Sequence, residues 1–146
     1  MNTQAMAEAV AEGLREAGRE VDLFDTNDGR FDVAQFPSYD CPLPGIYDVA
    51  FGSPDYCSYV AGNLKQFMDD HYIADVRKGM QGLKDKPYAL FYSHGGGGRV
   101  IDAMKQIFRR VGTLIGEPVG SRGYPAPDVL GKCRALGKML GDAVSR

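Results

Sequence analysis

Apolar residues recur along this chain in two alternating patterns. Helical spacing is present in four stretches, the first of which runs from Met6 through Val10 and Leu14 to Ala17. Short apolar runs lie between these stretches. The clearest is Pro87 to Tyr92, PYALFY, which is apolar almost throughout, as expected of a strand that is covered on both faces. The order predicted is helix, strand, loop, strand, helix, strand, helix, strand, helix.

The segment Ile46 to Phe67 shows the repeating unit most plainly. Val49 to Phe51 is a short apolar run, Gly52 to Tyr56 has turn composition, and Val60, Leu64, Phe67 and Met68 recur at helical spacing. Strands that alternate with helices predict a parallel sheet in a doubly wound α/β domain, here a single domain over residues 1–146. In such sheets the loops that leave the carboxyl ends of the strands form the ligand site.

The other elements follow from composition and from helix end signals. The ends of the first helix are predicted from a cap at Asn2 or Thr3 and a stop at Gly18. The remaining predictions are a strand over Arg19 to Phe24, a folded connection over Thr26 to Gly45, a polar connection over Asp69 to Lys86, a weaker strand over Glu117 to Ser121, and a last helix from Pro127. His71 is expected to be a cation at a helix end or a surface residue.

Composition limits which partners and which cellular compartment are expected. The chain has 146 residues, 44% of them hydrophobic and 25% charged, with a formal net charge of -2, so neither a nucleic-acid nor a membrane partner is expected. The three cysteines, Cys41, Cys57 and Cys133, form no CxxC pair, which indicates a reducing, cytoplasmic compartment. No ligand spacing points to a metal site, and no catalytic acid, base or nucleophile is identified.

Three segments together resemble the flavodoxin-like family, in particular short-chain flavodoxins and the FMN domains related to NAD(P)H:quinone oxidoreductases. NTQAMAEAVAEGLREAGREVDLFD resembles the end of the family's phosphate loop, its first helix and its second strand. FGSPDYCSYVAGNLKQFMD resembles the segment beside the flavin ring, and FYSHGGGG resembles the glycine-rich third loop. The resemblance covers nearly the whole chain, and it implies a three-layer α/β/α sandwich that binds FMN.

The resemblance also implies which residues bind the cofactor. Two positions at the start of the first helix would hold the phosphate, and two loops would form the walls of a flat slot for the ring. The implied cofactor-binding residues are Asn2, Thr3, Ser53, Pro54, Asp55, Tyr56, Ser93, His94, Gly95, Gly96, Gly97 and Gly98. Tyr56 either stacks on the ring or covers the sheet edge.

The sequence departs from the family in two places. Asp55 stands where the family usually has threonine, and its carboxylate is expected to oppose a reduced, anionic ring. The family's first strand and most of its phosphate loop are missing, which would leave a gap in the sheet. Three explanations are open. The first is that the start of the gene is assigned too late, the second is that the two flanking strands pair directly, and the third is that another chain fills the gap.

Two functions follow from these observations. The first is FMN-dependent electron transfer, or reduction of a small acceptor such as a quinone, with a redox partner protein or a small molecule as partner. The alternative is a flavin-free interaction module that keeps the fold without the phosphate loop. A homo-oligomer is compatible with either.

Overall fold

The computed structural model describes residues 2–25, 48–78 and 86–144. Seven elements lie in these ranges. The helices are α1 (Asn2–Glu16), α2 (Gly62–Lys78), α3 (Val100–Phe108) and α4 (Pro127–Val144), and the strands are β1 (Val49–Pro54), β2 (Tyr88–His94) and β3 (Val119–Arg122). The predicted connection over Thr26 to Gly45 lies outside the described residues, as do residues 79–85 of the polar connection.

The three strands form a parallel sheet in the order β1-β2-β3. Phe51 of β1 is paired with Leu90 of β2, and Phe91 of β2 is paired with Val119 of β3. The first four residues of β2, Tyr88 to Phe91, are all buried, as the continuous apolar run predicted. The predicted parallel α/β sheet is therefore confirmed.

Alternate residues of β2 point to opposite faces of the sheet, and each face has its own apolar core. Tyr88 and Leu90 pack in one core with side chains of α2 and α3. Ala89 and Phe91 pack in the other core with side chains of α1 and α4. The molecule is thus the expected three-layer α/β/α sandwich.

Helices α1 and α4 approach each other closely because glycines lie where they cross. A Cβ atom at Gly13 would lie 1.9 Å from the Arg134 carbonyl oxygen, and one at Gly137 would lie 2.0 Å from the Val10 carbonyl oxygen. Helix α1 ends at Glu16, and Gly18, the predicted stop, follows it with a φ of 86°. This packing fixes the position of α1, and therefore of its first turn, against the sheet.

Two local predictions were wrong. Residues 19–25 form no strand, and among the described residues β1 is paired with β2 alone, so β1 and residues 19–24 do not close up as a direct pair. The composition of this segment suits a strand, but strand propensity depends strongly on the tertiary context. The late start and the contribution of another chain stay predictions.

The second correction concerns α2, which continues to Lys78 instead of ending near His71. His71 follows Leu64 and Phe67 on the same helical face, and it is buried with its ring 6.4 Å from that of Phe67. Its spacing, and not its chemical type, decides its position. None of the described helices is long and apolar enough to cross a membrane.

Two glycines of α4 provide a matched test of the helix packing. We expect Gly137→Ala to lower the free energy of unfolding by roughly 1–3 kcal/mol, because its methyl group meets the backbone of α1. Gly131→Ala should raise it by roughly 0.5–1 kcal/mol, since a Cβ atom there meets no atom within 4 Å and alanine favours the helix. Urea denaturation measures both changes. Equal effects of the two substitutions would contradict the close approach of α1 and α4.

Asp48, just before β1, provides a test by pH. Its Oδ2 is buried without a hydrogen-bond partner among the described residues. Burial raises the pKa of the carboxyl group above its ordinary value of 3.8, and the charge of Arg19 opposes this shift. The raised pKa belongs to the folded state. The contribution of Asp48 to the free energy of unfolding is therefore present below pH 3.8 and is lost as the pH rises through the folded-state pKa.

We therefore expect Asp48→Asn to stabilise the protein at about pH 7 by on the order of 1 kcal/mol, because the neutral amide removes the cost of burying a charge. At about pH 3 the substitution should have little effect, because the native carboxyl group is then neutral. The measurement is the free energy of unfolding of both proteins at the two pH values. An equal gain at both would show that burial of the charge is not the cause.

Candidate functional site

The candidate site lies at the carboxyl edge of the sheet. The strands are parallel, so the loops that follow β1, β2 and β3 all leave from this edge. The amino terminus of α1 reaches the same edge, because Thr3 Oγ1 lies 2.8 Å from Ser93 Oγ in a hydrogen bond that either hydroxyl can donate. All twelve residues singled out in the sequence are therefore at one end of the molecule.

Ser93 connects three of these segments. Its buried side chain contacts Thr3 in the first turn of α1, and its carbonyl oxygen accepts a hydrogen bond of 2.8 Å from the Asp55 amide. Thr3 lies inside α1 and is not the residue that precedes it, so the predicted cap is replaced by a contact between elements. Asn2, the first residue of α1, is partly buried beside it.

The Asp55 side chain joins the loops after β1 and β2. Its Oδ1 accepts a hydrogen bond of 2.7 Å from the Ser58 amide, within its own loop. Its Oδ2 accepts one of 3.2 Å from the amide of Val100, the first residue of α3. The two loops that the sequence named as walls therefore lie side by side.

A tight turn presents Tyr56 to solvent. Tyr56 and Tyr59 exchange backbone hydrogen bonds of 3.0 Å in both directions, and the two residues between them, Cys57 and Ser58, have φ values of 55° and 64°. Left-handed conformations are costly for residues other than glycine, so the surrounding contacts must maintain them. The Tyr56 side chain is 61% exposed and offers an aromatic face.

Ser53 shapes the loop from within and offers no accessible surface. Its side chain is fully buried, its Oγ accepts a hydrogen bond of 2.9 Å from the Ala61 amide, and its hydroxyl donates one of 2.7 Å to the Pro54 carbonyl oxygen. Pro54 ends β1. Both residues set the course of the backbone toward Asp55 and Tyr56.

The glycine-rich loop is open on its outer side. Gly95, Gly96 and Gly97 are exposed, and a Cβ atom at Gly95 or Gly96 would meet no atom within 4 Å. Gly98 is buried with a φ of 67°, and a Cβ atom there would lie 3.2 Å from the His94 ring. Any larger residue at position 98 would therefore disturb the imidazole.

The His94 ring lies under this loop. It stacks on Tyr92 at a centroid distance of 5.9 Å, and its Nδ1 is buried without a hydrogen-bond partner in the described part of the chain. The backbone carbonyl oxygen of His94 accepts a hydrogen bond of 2.9 Å from the Gly123 amide. This bond joins the loop after β3 to the same site.

Sequence reasoning missed that third loop. Tyr124 is 67% exposed and directly follows Gly123. The rule that all loops after parallel strands share one edge could have identified it. The contact of Asp55 with Val100 had no sequence signal, because it joins residues of different loops.

The other reactive groups offer little chemistry. Cys57 is exposed on the turn, whereas Cys133 is buried in α4, where burial raises the pKa of its thiol to about 11. Cys41 lies outside the described residues. Within residues 2–25, 48–78 and 86–144, no group of three His, Cys, Asp or Glu side chains could hold a metal ion.

Solved structures identify the fold. A flavodoxin from the domain Archaea superposes with a TM-score of 0.78 at 23% identity, over 99% of this chain and 92% of that chain. The two-electron reduced flavodoxin of Megasphaera elsdenii superposes with a TM-score of 0.71 at 28% identity, over 97% and 91%. The protein has the flavodoxin-like fold.

This flavodoxin-like fold is also found as part of a larger protein. The flavodiiron protein from Giardia intestinalis matches 99% of this chain with a TM-score of 0.78 at 19% identity, but only 33% of that protein is covered. No family model and no curated protein matches the chain by sequence.

The hydrogen bond between Thr3 and Ser93 is testable by a double-mutant cycle. We expect Thr3→Val and Ser93→Ala each to lower the free energy of unfolding by about 1 kcal/mol, because each leaves a partly buried hydroxyl without its partner. The double variant should cost less than the sum of the two, with a coupling energy of about 1 kcal/mol. Strictly additive effects, measured by urea denaturation, would show that α1 is not joined to β2 in this way.

Proposed function

We propose that this protein binds FMN at the carboxyl edge of the sheet and serves in electron transfer or in reduction of a small acceptor. The observation that carries the proposal is the convergence at Ser93. Ser93, near the end of β2 and just before the glycine-rich loop, joins the first turn of α1 to the loop after β1. The flavodoxin-like fold supports the same assignment.

The start of α1 fits a phosphate group. The first backbone amides of a helix have no partner within the helix, and the helix dipole favours an anion there. Helix α1 has no acidic residue in its first turn, and the partly buried Asn2 and Thr3 add polar side chains. These two residues and the α1 backbone amides are the proposed phosphate ligands.

The two loops fit a flat aromatic group. Gly95 and Gly96 leave open space where side chains would stand, so a planar ligand can approach the backbone. The exposed Tyr56 side chain supplies a face for stacking. The ring would lie between the Tyr56 turn and the glycine-rich loop.

FMN, when bound, supplies the redox chemistry, and the protein supplies binding, orientation and electrostatics. No acid, base or nucleophile of this chain needs to act. The Asp55 carboxylate, which the sequence alone suggested would oppose a reduced ring, accepts hydrogen bonds from the Ser58 and Val100 amides. These donors offset part of its charge. The partner in this proposal is a redox protein or a small-molecule acceptor.

The proposal predicts that the purified protein binds FMN and quenches its fluorescence. Tyr56→Ala should raise the Kd roughly tenfold, equivalent to about 1.4 kcal/mol of lost stacking. Tyr72→Ala is the matched control. Tyr72 is also an exposed tyrosine, at 47%, but it lies on α2 against Arg110, whose guanidinium carbon is 4.4 Å from its ring.

Three outcomes distinguish the alternatives. A selective loss of affinity in Tyr56→Ala supports the proposed position of the ring. Unchanged affinity in Tyr56→Ala would place the ring elsewhere. Wild-type protein that leaves FMN fluorescence unchanged would contradict the proposed function and favour a flavin-free interaction module.

A further inference from the structure

Helix α3 does not cap its own amino terminus. The residue before it, Arg99, makes no capping hydrogen bond through its side chain. The Val100 amide instead donates to Asp55 Oδ2, which comes from the loop after β1. A carboxylate is a favourable partner at this position, because it satisfies an amide without an intrahelical acceptor and interacts well with the helix dipole.

The same carboxylate also holds the turn after β1. Its Oδ1 accepts from the amide of Ser58, whose φ of 64° is left-handed. A side chain that accepts a hydrogen bond from a backbone amide three residues later stabilises such a turn. The Asp55 amide donates to the Ser93 carbonyl oxygen, so one residue bonds to three segments.

These bonds limit the freedom of the glycine-rich loop. The loop leaves β2 after His94 and enters α3 at Val100, and its exposed glycines have few neighbours to restrain them. Glycine has the widest conformational range of all residues, so the position of this loop depends on how its two ends are fixed. Pairing with β1 and β3 fixes the β2 end, and Asp55 holds the α3 end.

We propose that Asp55 is a positioning residue that couples the Tyr56 turn to the glycine-rich loop, so that the two walls of the site keep one spacing. The coupling itself is a property of the free protein. Its consequence for a ligand rests on the proposed function, because the ligand would lie between these walls.

Amide hydrogen exchange of the free protein, followed by NMR, tests the coupling. In Asp55→Ala, exchange at Ser58 and Val100 should be about tenfold faster or more, because charge-assisted bonds are lost. The backbone NMR order parameter of Gly96 should fall as well, although Asp55 makes no direct bond to it. Asp55→Asn keeps one acceptor oxygen and should protect only one of the two amides.

Asp102→Asn is the matched control. Asp102 is exposed in the first turn of α3, so this variant removes the same charge from the same helix end without breaking the Asp55 bonds. We expect exchange at Ser58 and Val100 to change by less than about twofold in this variant. Equal acceleration in Asp102→Asn and Asp55→Ala would overturn the proposal, as would protection of both amides in Asp55→Ala.

FMN titration of the same variants tests the consequence. Asp55→Ala should raise the Kd roughly tenfold, with Asp55→Asn between it and the wild type and Asp102→Asn within about twofold of the wild type. Equal Kd values for wild type and Asp55→Ala would overturn the positioning role and leave the proposed function intact. A wild-type protein that does not bind FMN would overturn the proposed function but not the coupling of the two loops. The coupling is tested by the exchange rates of the free protein, which need no ligand.

Discussion

The parallel pairing of β2 with both β1 and β3 determines the rest of this molecule. Parallel strands carry all their following loops to one edge, so residues that are far apart in the sequence meet there. The same pairing buries both faces of β2 and therefore requires a layer of helices on each side. Site and sandwich are consequences of a single arrangement of strands.

The helix layer of α1 and α4 has a second effect. Its close packing through Gly13 and Gly137 sets how α1 lies across the sheet. This orientation brings Thr3 to the end of β2, where its hydroxyl contacts Ser93. A contact in the core, far from the site, thus decides whether the first turn of α1 faces the loops. The site is assembled by helix packing as much as by the loops themselves.

The sequence predicted the features that depend on local pattern. The spacing of Met6, Val10 and Leu14 indicated α1, and the apolar run at Pro87 to Tyr92 indicated β2. A helix buried on one face has apolar residues at helical spacing, and a strand buried on both faces has a continuous apolar run, so both are visible in the sequence. The strand predicted over Arg19 to Phe24 was wrong, since local composition indicates that a segment is suited to a strand but does not determine which segments pair in the sheet. His71 was misplaced because its type was weighed above its spacing.

The role of Asp55 shows most clearly what a sequence leaves undetermined. Read alone, a carboxylate beside an anionic ligand is a source of repulsion. In the folded chain its oxygens contact the Ser58 and Val100 amides, and the second of these lies at the amino terminus of α3, where a helix favours negative charge. A negatively charged ligand would therefore meet a charge that is already partly compensated. The effect of an acidic residue at such a site depends on its donors, which only the fold supplies.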